Sequence, residues 1–489
     1  MKVKFYPKKY IDVKVCPIYE DKDAVIVQHT DTLLQNTAYN VEALGFKYGI
    51  KPTAFVWPYS NTESELNSFD GTGVIKFGVY IPTDMYRTET GENKDLPDYS
   101  SATLSEEGAE YYGREFGESK DKGFPNNGQQ LFDYTNGVKG YDIANGVAGA
   151  EGNKDFIRLM QYIDDWFYEH FNRLPSNGSD RQGKIGSKEV YVPFYLGIRK
   201  TQPVTDGTAE IYESGAIDRL SFIHRSITSR WEYTFYNNEP SYNQVMIDSI
   251  NRAFEIKGLF NDFVHWHRVL GVEGGYPLLE QLFKTIHETV GERNAWYTGY
   301  GEAVEYYWFK SMIKRAVGGI SNSGNEILIV LDFEDDYSGI FDAGIPMDLL
   351  YERLKQPISV MVDLKNTFLE GKIIDAEGCE IVSKGNDVYI INIPFNGVNG
   401  FQQVVIKEAV YKNYKDFEHI TYQIKNDKII TNKPVKCVFY RGEFDVRMSV
   451  ISRDNVFSTE HDLVDGFTKI GLIDNVGQTV LIESNNNVE

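Results

Sequence analysis

Residues 23–32 read DAVIVQHTDT. An apolar run, Ala24 to Val27, passes directly into polar residues, Gln28 to Asp31. A buried strand of an α/β sheet has this form, because both of its faces are covered and its hydrophobicity does not alternate. A helix is expected next, followed by IKPTAFVW (50–57) and GVIKFGVYI (73–81) as two more strands. From Pro82 to about Gly137 the chain is rich in Gly, Asp, Glu, Ser, Asn and Tyr, without apolar periodicity, and reads as a long insertion.

An amphipathic helix is predicted from about Asn153 to Phe171, where Phe156, Ile157, Met160, Ile163, Phe167 and Phe171 recur at three- and four-residue spacing. EVYVPFYLGI (189–198), GLFNDFVHWH (258–267) and NAWYTGY (294–300) read as strands. Residues 242–256, 277–290 and 301–317 read as helices. Strands alternating with helices from about residue 20 to 320 indicate a parallel sheet or barrel.

Near Gly318 the pattern changes. GGISNSGN resembles a linker, and the segments beyond it alternate at period two: EILIVLDF, DVYIINIPF, QQVVIKEAVY, ITYQIKNDKIIT and VKCVFYRGEFDVRMSVI. Turn signals such as Lys-Gly-Asn separate them. The expected organisation is an N-terminal extension (1–20), a distorted (β/α) barrel (21–320) with its insertion at about 82–137, an all-β sandwich (321–412) and a small C-terminal β module (413–489).

Composition bounds the partners. The chain has 489 residues and a net charge of −21, which repels phosphate backbones and anionic lipid, so neither nucleic acid nor membrane is expected as a partner. Cys16, Cys379 and Cys437 lie far apart without metal-ligand spacing and allow one disulfide at most. No apolar run reaches the ~18 residues of a membrane span. The start of the chain is basic but lacks the apolar stretch of a signal peptide. The expected location is a virion or the cytoplasm.

Four passages in order resemble the NodB-homology polysaccharide deacetylase family, whose barrel is often followed by a β-sandwich. AVIVQHTDT and GIKPTAFVW are similar to its first two strands. GYDIANGVAGA with FNRLPS is similar to its metal-histidine and Arg-Pro passages. NDFVHWH and NAWYTGYGEAVEYYW look like its closing section. The resemblance covers roughly residues 20–410. It implies a divalent metal held by one Asp and an H-x-x-x-H pair, a second Asp as base, and a His as acid. Asp31 matches the metal-binding Asp. Thr30 stands where the base should be, and Gly146 and Ala150 stand where the histidine pair should be. Arg173 and Pro175 keep the Arg-Pro pattern, and Ser176 replaces its aromatic residue. His265 or His267 matches the acid.

Two readings of the same residues stay open. His265 and His267, expected on one face of a strand at period two, could hold zinc together with His29 and Asp31. They equally read as structural hydrogen-bonding groups, with Asp31 capping the next helix. Glu302 opens a predicted helix, where the macrodipole alone favours a carboxylate. Arg199 ends a strand that could face a groove, and Trp266 offers a ring for sugar stacking.

The residues lost from the metal site point to an inactive, deacetylase-like protein. Its expected role is a structural or glycan-recognition part of a larger assembly, such as a phage tail, baseplate or collar. Its partners would be other structural proteins and surface glycan, with no cofactor. The alternatives are a zinc-dependent deacetylase with a relocated site, or a carbohydrate-binding module.

Overall fold

The computed structural model describes residues 9–30, 35–56, 63–80, 167–175, 177–179, 183–185, 188–190, 197–198, 212–214, 226–228, 242–266, 269, 275–333, 353–396, 400–445 and 447–484. The expected insertion at 82–137 lies outside these residues, as do Asp31, Gly146, Ala150, Arg199 and His267.

The protein is a mixed α/β molecule built on a half-barrel. The opening stretch forms the central strand Ala24–Thr30, in which all seven residues are buried. Its parallel neighbours are Leu259–Phe263 on one edge and Thr53–Val56 on the other. Lys76–Tyr80, Asn177–Ser179 and Gly197–Ile198 continue the sheet in parallel. Ser226–Thr228 extends it on the other side, and Tyr212–Ser214 pairs with that strand antiparallel.

The central strand is forked on one edge. Ala24–Ile26 pair with the short strand Ala295–Tyr297, whereas His29 and Thr30 pair with Thr53 and Ala54. Helices α1 (Gln35–Tyr48), α2 (Glu63–Thr72), α3 (Tyr242–Glu255), α4 (Gly275–Val290) and α5 (Tyr300–Met312) accompany the sheet. α5 starts at the fork, where the Tyr300 N–H donates to Thr53 Oγ1 at 2.8 Å.

Two sequence expectations change here. The helix expected over 301–317 stops at Met312, and Ile313–Ile320 runs on as a strand without a loop. That strand belongs to the sandwich, so the sandwich begins before residue 321. Within the expected extension, residues 9–20 contribute strands of their own. Tyr10–Ile11 joins the sandwich sheet of Ile313–Ile320, Ile327–Phe333, Phe401–Glu408 and Ile374–Ala376. Val13–Val15 joins the facing sheet of Ile358–Asp363, Val388–Ile393 and Glu380–Gly385. Residues 10–15 therefore place one short strand in each sheet, and strands this short show no period of their own. The Lys-Gly-Asn turn signal falls where expected, with Gly385, Asn386 and Asp387 at φ 80°, 51° and 60° between two sandwich strands.

One apolar core runs through both parts. Val25, Val27 and Phe55 of the half-barrel meet Tyr300, Val304 and Trp308 of α5. The same cluster continues into Ile329, Val360, Ile391 and Ile406 of the sandwich. α5 is thus a wedge between the two layers.

The C-terminal module is an antiparallel sheet of Tyr422–Lys425, Lys428–Arg441, Ser449–Asp462, Lys469–Asp474 and Thr479–Glu483. One face holds its own core of Ile429, Cys437, Phe439 and Leu472. The other face, through Val438, Tyr440 and Ile473, packs on Ala43 and Phe46 of α1 and on Val74. All three cysteines are free thiols.

The packing around α1 gives a test of sign. A Cβ on Gly45 would lie 2.5 Å from Val74 Cγ1 and 2.9 Å from the Ile50 carbonyl oxygen. In an open helix Gly→Ala stabilises by about 1 kcal/mol. Here Gly45→Ala is expected to destabilise by about 1–3 kcal/mol through overpacking. The midpoint of a urea titration measures it.

Candidate functional site

The register sets three side chains in one row across the sheet. His29 is opposite Thr53, and Thr53 is opposite Lys76. In a sheet, cross-strand neighbours point to the same face. The first turn of α5 lies on this row. The Tyr300 ring stands 6.0 Å from the His29 ring, which also meets Phe55 edge-on at 5.6 Å. Glu302 Oε1 pairs with Lys76 Nζ at 2.8 Å. Two of the sequence candidates, His29 and Glu302, are therefore placed along one line by the register and the helix start.

Beside Glu302 opens a cavity of about 320 Å³ whose walls include Asp70, Lys76, Phe167, Arg173, Glu302 and Glu305. Its charges are mutually fixed. Arg173 holds Asp70 with two bonds, 2.8 Å to Oδ2 and 2.6 Å to Oδ1, and lies over the Phe167 and Phe171 rings. Glu305 Oε2 accepts the N–H groups of Lys355 and Gln356, both at 2.7 Å. Burial pushes the Glu302 carboxyl up, but Lys76 more than offsets this and holds it below the ordinary carboxylate range. Arg173 and Pro175 line the same cavity as Glu302. Sequence reading missed Asp70, Lys76 and Glu305. Only Glu305 left a signal, three residues from Glu302 on the same helical side.

The other candidates sit differently. His29 is 1% exposed and Thr30 fully buried. Trp266 is also fully buried, with its indole N–H donating to Gln28 Oε1 at 3.0 Å. No face of that ring is open to a sugar, contrary to the stacking role expected for it. The strand ends at Phe263, and the Val269 N–H donates to the His265 carbonyl at 3.2 Å, the spacing of a helical turn. His265 therefore lies beyond the strand and is half-buried, and His267 lies outside the described residues. Among the described residues, no group of three or more His, Cys, Asp or Glu is placed to hold a metal ion. Among them also, no helix is long and apolar enough to cross a membrane.

Lys51, near the same row, was not singled out by sequence. Burial and the neighbouring Lys76 lower its amine from 10.5 to about 8, against the opposing pull of Glu302 and Asp474; Lys415 adds repulsion. Between those two values the unfolded chain carries a proton that the folded chain has released. Stability therefore rises with pH across this window. Relative to Lys51→Met, the wild type is expected to gain stability from pH 8 towards 10.5, measured by denaturant titrations of both proteins.

No family model matches the chain, and no curated protein does. Among solved structures, it is similar to endo-glycoceramidase II from Rhodococcus sp. in its ganglioside GM3 complex. That likeness has 10% identity, covers 79% of this chain and 97% of that one, and has a TM-score of 0.19. The chain is also similar to a GH36 alpha-galactosidase from Geobacillus stearothermophilus in complex with stachyose, at 10% identity, covering 81% of this chain and 57% of that one, with a TM-score of 0.21. Likenesses this loose carry no argument about the fold or the chemistry.

Proposed function

We propose that the protein is a non-catalytic, deacetylase-like scaffold serving as a structural or glycan-recognition component of a larger assembly, such as a phage tail, baseplate or collar. The observation that carries this reading is the burial of the strand end. Metal-assisted deacetylation needs an open coordination position and a carboxylate base. The chain has the fully buried Thr30 at the base position, and the neighbouring His29 ring is packed against Tyr300 and Phe55.

The glycan part of the reading rests on the cavity. Its donors and acceptors are held in place by one another, and the Phe77 and Phe167 rings supply apolar wall. Preplaced polar groups beside aromatic surface suit a neutral, polyhydroxylated ligand. The assembly part is supported by exposed apolar residues concentrated late in the chain: Val410 at 81%, Tyr411 at 83% and Val456 at 68%. Where such residues form a contiguous patch, they mark contacts with other proteins.

A glycan array probed with the full chain tests the recognition role. Binding that is lost on Arg173→Ala is expected, and a blank array would remove that role. Light scattering at high concentration tests assembly, and a strict monomer would count against it.

A further inference from the structure

Lys433 and Asp474 close one end of the C-terminal module's own core. Lys433 lies on the strand Lys428–Arg441, two residues from Val435 and on the same face. Asp474 ends the strand Lys469–Asp474 and stands directly opposite Val435. Val435 and Leu472 belong to the apolar cluster on that face, so the two charged side chains meet at its edge. Lys433 is 7% exposed and Asp474 2%, and Lys433 Nζ lies 2.9 Å from Asp474 Oδ2.

Both partners are held for more than an ion pair. Asp474 Oδ1 accepts the N–H groups of Val476 at 3.1 Å and Gln478 at 2.8 Å. Two backbone donors on one carboxyl oxygen are what stabilises the oxyanion formed when the carbonyl carbon is attacked. Lys433 Nζ also donates to the Asp416 carbonyl at 3.3 Å and to Gln478 Oε1 at 3.4 Å. Once its third proton has passed along the hydrogen bond to Oδ2, these two acceptors keep the amine's lone pair directed at the Asp474 carboxyl. That transfer removes two desolvated charges, which burial makes costly. Gln478 serves both sides, with its N–H on Oδ1 and its Oε1 on the amine.

We infer that Lys433 and Asp474 join in an isopeptide bond, a self-formed cross-link between the two strands. Lys433 Nζ attacks Asp474 Cγ, so the N–Cγ bond forms and the Cγ–Oδ2 bond breaks. Oδ2 leaves as water with two protons from Nζ, and Oδ1 remains as the amide oxygen. The ammonium and the carboxylate together contain every atom of the amide and the water, and nothing is oxidised or reduced. Fixed proximity replaces a bimolecular encounter. The bond links residues 41 apart and encloses the strand Ser449–Asp462, which carries Arg453. The inference depends on neither the glycan nor the assembly reading.

The test is the intact mass of the full chain under denaturing conditions, after the purified protein has been kept at room temperature until its mass is constant. The expected mass is one molecule of water below the sequence mass. Tandem sequencing of a tryptic digest is expected to show a branched peptide joining Lys433 to Asp474, which separates the cross-link from dehydration at another side chain. Lys433→Arg keeps the positive charge without the attacking amine and is expected at its full sequence mass. A wild type at its full sequence mass, or a water loss that maps to other residues, would overturn the proposal, and both readouts use the wild type alone.

Discussion

Replacing Arg453 with methionine is expected to lower the unfolding free energy by about 3–5 kcal/mol, because it removes one partner of a buried ion pair. Arg453 Nη1 lies 2.5 Å from Glu42 Oε1, and the Glu42 side chain is fully buried. Glu42 also accepts the Thr72 and Tyr440 hydroxyls, each at 2.8 Å, and the Arg453 guanidinium lies 4.4 Å from the centre of the Phe69 ring. Burial acts to strip the proton from Arg453, but Glu42 outweighs it, so the guanidinium is held more firmly charged than usual. Without Arg453, an uncompensated carboxylate remains between the half-barrel and the C-terminal module. The double replacement Glu42→Leu with Arg453→Met is expected to recover most of the loss, since an apolar pair of similar volume avoids the buried charge. Guanidinium titrations of the wild type, the single and the double variant decide it. A single variant within 1 kcal/mol of the wild type would show that the module is not docked through this pair.

Trp308→Ala is expected to cost a further large amount, about 3–5 kcal/mol, as a buried large-to-small change. Trp308 is 1% exposed and belongs to the cluster shared by the half-barrel, α5 and the sandwich. Nearby, the Tyr306 hydroxyl donates to the Cys16 carbonyl at 2.8 Å and ties the start of the chain to the same wedge. Because the core is continuous, calorimetry should show the half-barrel and sandwich losing stability together. A split, in which one transition moves and another stays, would mean that α5 does not couple them. Replacing the exposed Glu288 on α4 serves as the control, expected within about 0.5 kcal/mol of the wild type.

The sequence made the local elements legible and left the long-range pairings hidden. The run AVIVQHT announced a strand buried on both faces, and every residue in it is buried. The amphipathic helices α3 and α4 followed from their apolar spacing. Tyr10–Ile11 and Val13–Val15 could not be read as sandwich strands, because two or three residues carry no period. The switch from α5 into Ile313–Ile320 was hidden for a related reason: KSMIKRAV suits either state, and its pairing with Ile327–Phe333 decides it.

At the candidate site, Glu302 was found because a carboxylate at a helix start has a local signature. Its partner Lys76 was not, because the row of His29, Thr53 and Lys76 exists only through strand register. The Glu42–Arg453 pair is separated by 411 residues and leaves no local trace. The expected strand placement of His265 failed because the strand ends at Phe263, and the Val269 N–H reaches back to the His265 carbonyl; His267 lies outside the described residues.

Acetate release is the most direct test of the non-catalytic reading. The purified chain, supplied with zinc, is incubated with N- and O-acetylated oligosaccharides, and free acetate is measured against a protein-free control. No release above that control is expected. Release that depends on zinc and disappears in Asp31→Ala would contradict the account and establish a metal-dependent deacetylase.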